Sequence, residues 1–244
     1  MSDSVLAVPA AVSPSLPSSL AGLVWRGGAM ASDCAGTTSS GYPQLDEQLP
    51  GGGWPHRCLI ELLLQQNGIG EMRLLLPALQ RLSGQRIALL QPPHLPQIAS
   101  WHAQGFSPER LLWIRAPSLS DALWTAEQVL RNGSCDALLL WQGAMRMEAL
   151  RRLQMAAQAS DMLCWVLRPM VMTDIPSPAP LRLALRPHAE GLSIDVLKRR
   201  GPQCIVPLLL QWPRLAFHRE PGHAFMDCRM PAAVTLAGTT PTLV

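Results

Sequence analysis

Five short apolar runs, each bounded by turn residues, alternate with helix-period segments along the middle of this chain. They are Leu59–Leu64, Arg86–Leu90, Leu111–Arg115, Ala137–Trp141 and Met162–Leu167. Few folds accommodate that alternation. Continuous apolar runs of this length fit strands buried on both faces, and a helix between successive strands implies a crossover. The expected architecture is α/β: a mostly parallel sheet flanked by helices. Leu181–Leu185 and Leu192–Lys198, separated by Glu190-Gly191, add a β-hairpin towards the C-terminus, and Ile205–Gln211 adds a last strand.

Helix ends are written into the same stretch. Ser118 and Asp121 form a capping-box pair, and Gly133 closes that helix after Asn132. Glu148–Ala159 is a further helix, and Trp101–Gly105 closes a short one. In Glu71–Leu82, Leu75, Leu79 and Leu82 share one face, but Pro77 lies inside, which predicts a kink or a late start.

Composition bounds the rest. Residues 1–40 are rich in Ala, Ser, Pro and Gly and read as a flexible arm, with Leu23, Val24 and Trp25 as the segment able to dock. Residues 41–212 form the core domain, and 213–244 read as a flexible tail in which Phe217 and Phe225 could engage a partner. Pro9, Pro14 and Pro17 interrupt the only stretch resembling a signal peptide, and no apolar run reaches about 18 residues, so a cytoplasmic protein without membrane contact is expected. Six widely spaced cysteines with no CxxC pair read as free, mostly buried thiols. The six histidines lack metal-ligand spacing, so no metal site is expected. Of 20 basic residues only Lys198 is a lysine, and the net charge of +3 implies no bulk binding of nucleic acid.

The turn after the first apolar run is where such folds hold phosphate, through backbone N–H groups and a helix N-terminus. A working loop reads GxxxxGK[ST]. Here Gly68 and Gly70 are present, but Glu71 stands at the lysine position and Met72 at the hydroxyl position. A carboxylate repels a triphosphate, and a thioether is no ligand for magnesium. Asp136 lies at the wrong end of its strand, roughly 16 Å from the useful edge. The residue at that edge, Trp141, is a degenerate magnesium-binding position. Gly68 and Gly70 then read as a tight strand-to-helix turn, and no cofactor or catalytic residue is expected.

Gly41–Asp46 through Pro50–Pro55, with Gly105-Phe106, Leu111–Trp113, Asp121–Leu123, Leu130–Gly133 and Asp136–Leu140, resembles the RecA-like core in order and spacing over residues 41–205. In that resemblance the catalytic glutamate falls at Pro93, beside His94. The strings Pro50–Pro55, Gly68–Glu71 with Arg73–Leu79, Pro92–Pro96 and Leu150–Gln154 are similar to the ImuA family of translesion-synthesis accessory proteins. The resemblance implies a non-catalytic, damage-induced protein that binds an ImuB-like protein and an error-prone C-family DNA polymerase, with RecA or single-stranded DNA as further contacts. The alternative is a SulA-like inhibitor of the division protein FtsZ, which shares the degenerate RecA-like core.

Two surface features complete the reading. Lys198, Arg199 and Arg200 form the densest cationic run: either a contact for single-stranded DNA, with Trp212 as a stacking surface, or a hairpin end kept soluble by charge. Arg151-Arg152 reads as a solvated helix face. Trp54, Trp101, Trp113, Trp124, Trp141 and Trp165 fall mainly on the core pattern.

Overall fold

A computed structural model describes residues 36–82, 84–201 and 206–212. The expected arm residues before 36, the tail from 213, and Cys34, Cys204 and Cys228 lie outside the described residues. The chain order is β1 (Thr37–Thr38), α1 (Pro43–Asp46), β2 (Trp54–Pro55), β3 (Leu59–Leu64), α2 (Glu71–Arg81), β4 (Arg86–Leu90), α3 (Ile98–Ala103), β5 (Leu111–Ile114), α4 (Leu119–Asn132), β6 (Cys135–Trp141), α5 (Met147–Gln158), β7 (Leu163–Pro169), β8 (Leu181–His188), β9 (Gly191–Lys198) and β10 (Leu208–Gln211).

Eight strands form one sheet in the order β10-β9-β8-β3-β7-β6-β4-β5. From β8 to β5 all neighbours are parallel. The β8–β9–β10 end is antiparallel, a C-terminal hairpin extended by one strand. This is the α/β architecture expected from the alternation.

Each apolar strand feeds two cores, because successive side chains point to opposite faces. Ile60, Leu62 and Leu64 pack with Leu74, Leu75, Ala78 and Leu79 of α2. Leu59, Cys164 and Val166 pack on the other face with Ala126 and Leu130 of α4 and Leu153 and Ala157 of α5. Trp54 and Trp165 are fully buried and meet edge to face, with ring centroids 5.7 Å apart. Trp101 and Trp141 are partly buried against the α2-side core. Trp113 and Trp124 depart from the core pattern and are exposed. Trp113 sits on the edge strand with the Arg115 guanidinium 5.8 Å from its ring centroid, and Trp124 sits on the exposed side of α4.

Ordered structure begins before residue 41. Thr37 and Thr38 pair antiparallel with Pro55 and Trp54. The Asp46 carboxylate accepts from the Ser39 hydroxyl at 2.6 Å and the Ser40 N–H at 2.7 Å, folding the lead-in segment back on α1.

Pro77 neither delays α2, which starts at Glu71, nor leaves its acceptor open. Proline has no N–H for the carbonyl four residues earlier, that of Arg73. The Tyr42 hydroxyl donates to that carbonyl at 3.0 Å. Burial raises the pKa of this phenol, and the Arg73 charge pulls the other way.

The connection from β7 to β8 contains no α-helix. After a 3-10 turn at Met170–Met172, residues 173–180 run as irregular chain, and Ala179 is buried in the α5-side core. Carbonyls of irregular chain over a sheet need donors. Arg182 supplies them, donating to the Met172 and Thr173 carbonyls at 3.0 and 3.2 Å. Arg168 donates to the Gly143 carbonyl at 3.2 Å. Both guanidiniums are bound by the fully buried Glu61 carboxylate of β3, Arg168 at 2.9 Å and Arg182 at 2.7 Å.

Candidate functional site

The site is built at the carboxyl end of β3, where the chain turns into α2. Gly70 caps the helix with φ 113°, a backbone conformation suited to glycine. Glu71, the first helical residue, is buried. Its side chain folds back over the turn that precedes it. One carboxylate oxygen accepts from the Gly68 N–H at 2.8 Å and the other from the Gly70 N–H at 3.1 Å. These backbone donors and the positive end of α2 are what a phosphate would use. The chain's own carboxylate takes them instead.

A second residue covers the turn from outside. Trp212, just past β10, lies so close to Gly70 that a Cβ there would sit 2.1 Å from its ring. The backbone N–H of Trp212 donates to the Glu190 carbonyl at 3.0 Å, which holds this residue's main chain at the β8–β9 turn. The Arg73 guanidinium stacks over the same ring at 4.7 Å. The order from the inside outward is Glu71 carboxylate, glycine turn, indole, guanidinium.

The other expected positions sit where the strand order puts them. Met72 is partly buried against the α2-side core. Trp141, the last residue of β6, packs on the same core and pairs with Leu167 of β7. An aromatic ring therefore occupies the carboxyl end of β6. Pro93 and His94 lie in an exposed loop after β4. Among the described residues no cluster of His, Cys, Asp or Glu could hold a metal ion. Cys58, Cys135 and Cys164 are buried, and none of them is in a disulfide among the described residues. Burial pushes the Cys164 thiol far above its ordinary value, with Cys58 acting in the same direction.

The cationic run lies elsewhere. Lys198 ends β9 and donates to the Ser177 carbonyl at 2.8 Å. Arg199 donates to the Gln48 carbonyl. Arg200 is exposed in the turn that follows. The structure separates this run from Trp212. Gln211 pairs with Gly191, the opposite end of β9 from Lys198, which puts roughly 24 Å of strand between them. Trp212 belongs to the glycine turn and not to a stacking platform beside Lys198, Arg199 and Arg200.

Sequence reasoning identified Glu71 by what it displaces, but not the bonds it makes. An acidic residue at the start of a helix, one and three residues after glycines, was the available signal. The Glu61–Arg168–Arg182 group was missed. Its signal was one glutamate in an otherwise apolar six-residue strand.

No family model matches this chain, and no curated protein matches it. Among solved structures the chain is similar to SulA from Pseudomonas aeruginosa, with 25% identity and a TM-score of 0.38, over 46% of this chain and 97% of that one. No described helix is long and apolar enough to cross a membrane.

Proposed function

We propose that this chain is a non-catalytic accessory protein of damage-induced translesion DNA synthesis, a recombinase-shaped scaffold that docks other proteins and does not turn over a nucleotide. The observation that carries the reading is the Glu71 carboxylate seated on the Gly68 and Gly70 N–H groups. A β/γ-phosphate entering that turn would have to displace a buried anion and would find no lysine to replace it. Met72 and Trp141 remove the two positions that would hold magnesium, and the Trp212 ring closes the approach.

The identity of the partners rests on the ImuA-like strings around Pro50–Pro55, Gly68–Leu79, Pro92–Pro96 and Leu150–Gln154. An ImuB-like protein and an error-prone C-family polymerase are the partners they favour, with RecA or single-stranded DNA as further contacts at the same assembly. Co-purification of the full chain with ImuB and that polymerase tests this. Recovery of a stable complex is expected. Recovery of neither protein, together with near-stoichiometric inhibition of FtsZ polymerisation, would replace this reading with the SulA-like one.

A further inference from the structure

The lead-in segment carries four hydroxyls in a row, Thr37, Thr38, Ser39 and Ser40, and the fold gives each a different partner. Thr37 donates to the Gly51 carbonyl at 3.1 Å and Ser40 to the Tyr42 carbonyl at 3.2 Å. Ser39 donates to the Asp46 carboxylate. Of the four, Thr38 meets an imidazole: its Oγ1 lies 2.7 Å from Nε2 of His56. A carbonyl takes up no proton near neutral pH, and a carboxylate is a weaker base than an imidazole.

The other ring nitrogen fixes the tautomer. Nδ1 of His56 lies 2.6 Å from the backbone carbonyl of Asp161, in the turn between α5 and β7. A carbonyl only accepts, so Nδ1 carries a proton, and in the neutral ring the lone pair is on Nε2. That lone pair faces the Thr38 hydroxyl. A hydroxyl, a base within bonding distance and a third group that orients the base are the parts of an activated oxygen nucleophile. The neighbouring backbone is strained: Arg57 takes the left-handed conformation at φ 57°, uncommon outside glycine. Its side chain donates to the Gln158 carbonyl at 3.1 Å and meets the Asp161 carboxylate at 3.6 Å, which holds the strained residue against the same turn. Strain of this kind collects at functional sites. Thr38 and His56 are half-buried and Asp161 is exposed, so the group is reached from solvent. It lies before the start of β3, at the opposite end of that strand from the glycine turn.

We infer that Thr38 is an acceptor site for an activated acyl group, with His56 as its general base. Thr38 Oγ1 attacks the carbonyl carbon of the donor while its proton passes to His56 Nε2. The bond from that carbon to the leaving oxygen then breaks, and His56 returns the proton to the leaving group or to water. The product is a threonine ester, formed once per chain. It removes the hydroxyl proton that binds His56, so acylation loosens β1 from the α5–β7 turn. This site goes beyond the docking role proposed above and does not depend on it.

The probe is p-nitrophenyl acetate, added to the full chain. Nitrophenolate absorbance follows the rate, and mass mapping of peptides locates the acetyl group. An early burst with the label on Thr38 is expected, and Thr37, Ser39 and Ser40 should stay unmodified. His56→Gln should slow acetylation of Thr38 by about a hundredfold or more, because a positioned general base contributes about 10²–10⁴-fold. Thr38→Val should abolish the burst. Thr38→Ser should keep it, with the label still at position 38 and still dependent on His56. Circular dichroism and thermal midpoint of each variant separate lost chemistry from a lost fold. Equal labelling of Thr38 in His56→Gln, a label spread evenly over the four hydroxyls, or no label at position 38 in the parent would overturn the inference. Each of those results leaves the nucleotide-binding measurement and the co-purification free to succeed or fail separately.

Discussion

The Tyr42 hydroxyl donates to the Arg73 carbonyl at 3.0 Å, the acceptor that Pro77 leaves without its helical partner. A residue before the sheet thus completes a helix after its first core strand. Gly41 packs beside it, where a Cβ would sit 2.4 Å from that of Pro77. The two halves of this motif, Gly41-Tyr42 and the proline inside α2, function as one packing unit. Tyr42→Phe should therefore cost about 1 kcal/mol in the parent protein. In a Pro77→Ala background it should cost close to nothing, because alanine restores the backbone N–H that proline lacks. Guanidinium denaturation of the four proteins of that cycle measures the coupling. Equal costs in both backgrounds would show that the hydroxyl serves something else.

Closure of the glycine turn by Trp212 makes a second cycle. Gly70→Ala forces a Cβ into the indole and also places alanine at φ 113°. The backbone strain alone is about 1–3 kcal/mol, and ejecting the ring adds to it. With Trp212→Ala already present, only the strain should remain. A Gly70→Ala penalty of the same size in both backgrounds would mean that the ring does not press on this turn in solution.

How much of this was legible in sequence follows from what each residue had to report. The strands Leu59–Leu64 and Arg86–Leu90 appear with the bounds that their apolar composition and flanking turns predicted, and α4 runs between the Ser118 cap and Gly133 as expected. These are local signals, set within one or two helical turns. The roles of Pro77, Glu61 and Trp212 are not local. Each depends on residues distant in the chain: Tyr42 reaches the Arg73 carbonyl in front of Pro77, Glu61 binds Arg168, and Trp212 covers Gly70. Trp113 and Trp124 misled for a related reason. Periodicity marks which side of an element is apolar, but not whether that element ends up at an edge with nothing beyond it. The glycine turn was half legible: Glu71 and Met72 announced what was missing, whereas the folded-back carboxylate needed coordinates.

The buried Glu61 between Arg168 and Arg182 predicts an asymmetric mutational response. Glu61→Gln leaves two buried guanidiniums without a counter-charge and should cost about 3–5 kcal/mol. Replacing all three by Leu and Met often restores stability in other buried ion groups. Here it should not. The arginines also serve the Gly143, Met172 and Thr173 carbonyls, and each orphaned carbonyl costs about 1–3 kcal/mol. A triple variant as stable as the parent in urea would contradict this account of the irregular β7–β8 crossover.

Alkaline pH offers an independent probe of the core. The folded-state pKa of Cys164 is raised above its unfolded value of 9.0, chiefly by burial. A raised thiol contributes stability that is complete below the unfolded value. That stability drains away as pH climbs, because only the unfolded chain releases the proton. The limiting slope is about 1.4 kcal/mol per pH unit for one thiol. Cys164→Ala should lower stability at neutral pH yet lose less of it between about pH 8 and 10.5. Parallel curves for the two proteins in that window would show that Cys164 ionises equally well in the fold.

The account stands on a glycine turn whose N–H donors are already occupied by Glu71. Isothermal titration calorimetry of the full chain with Mg-ATP measures this most directly. No saturable heat is the predicted result. Binding with micromolar affinity at one site per chain, lost in the Gly70→Ala variant, would contradict it.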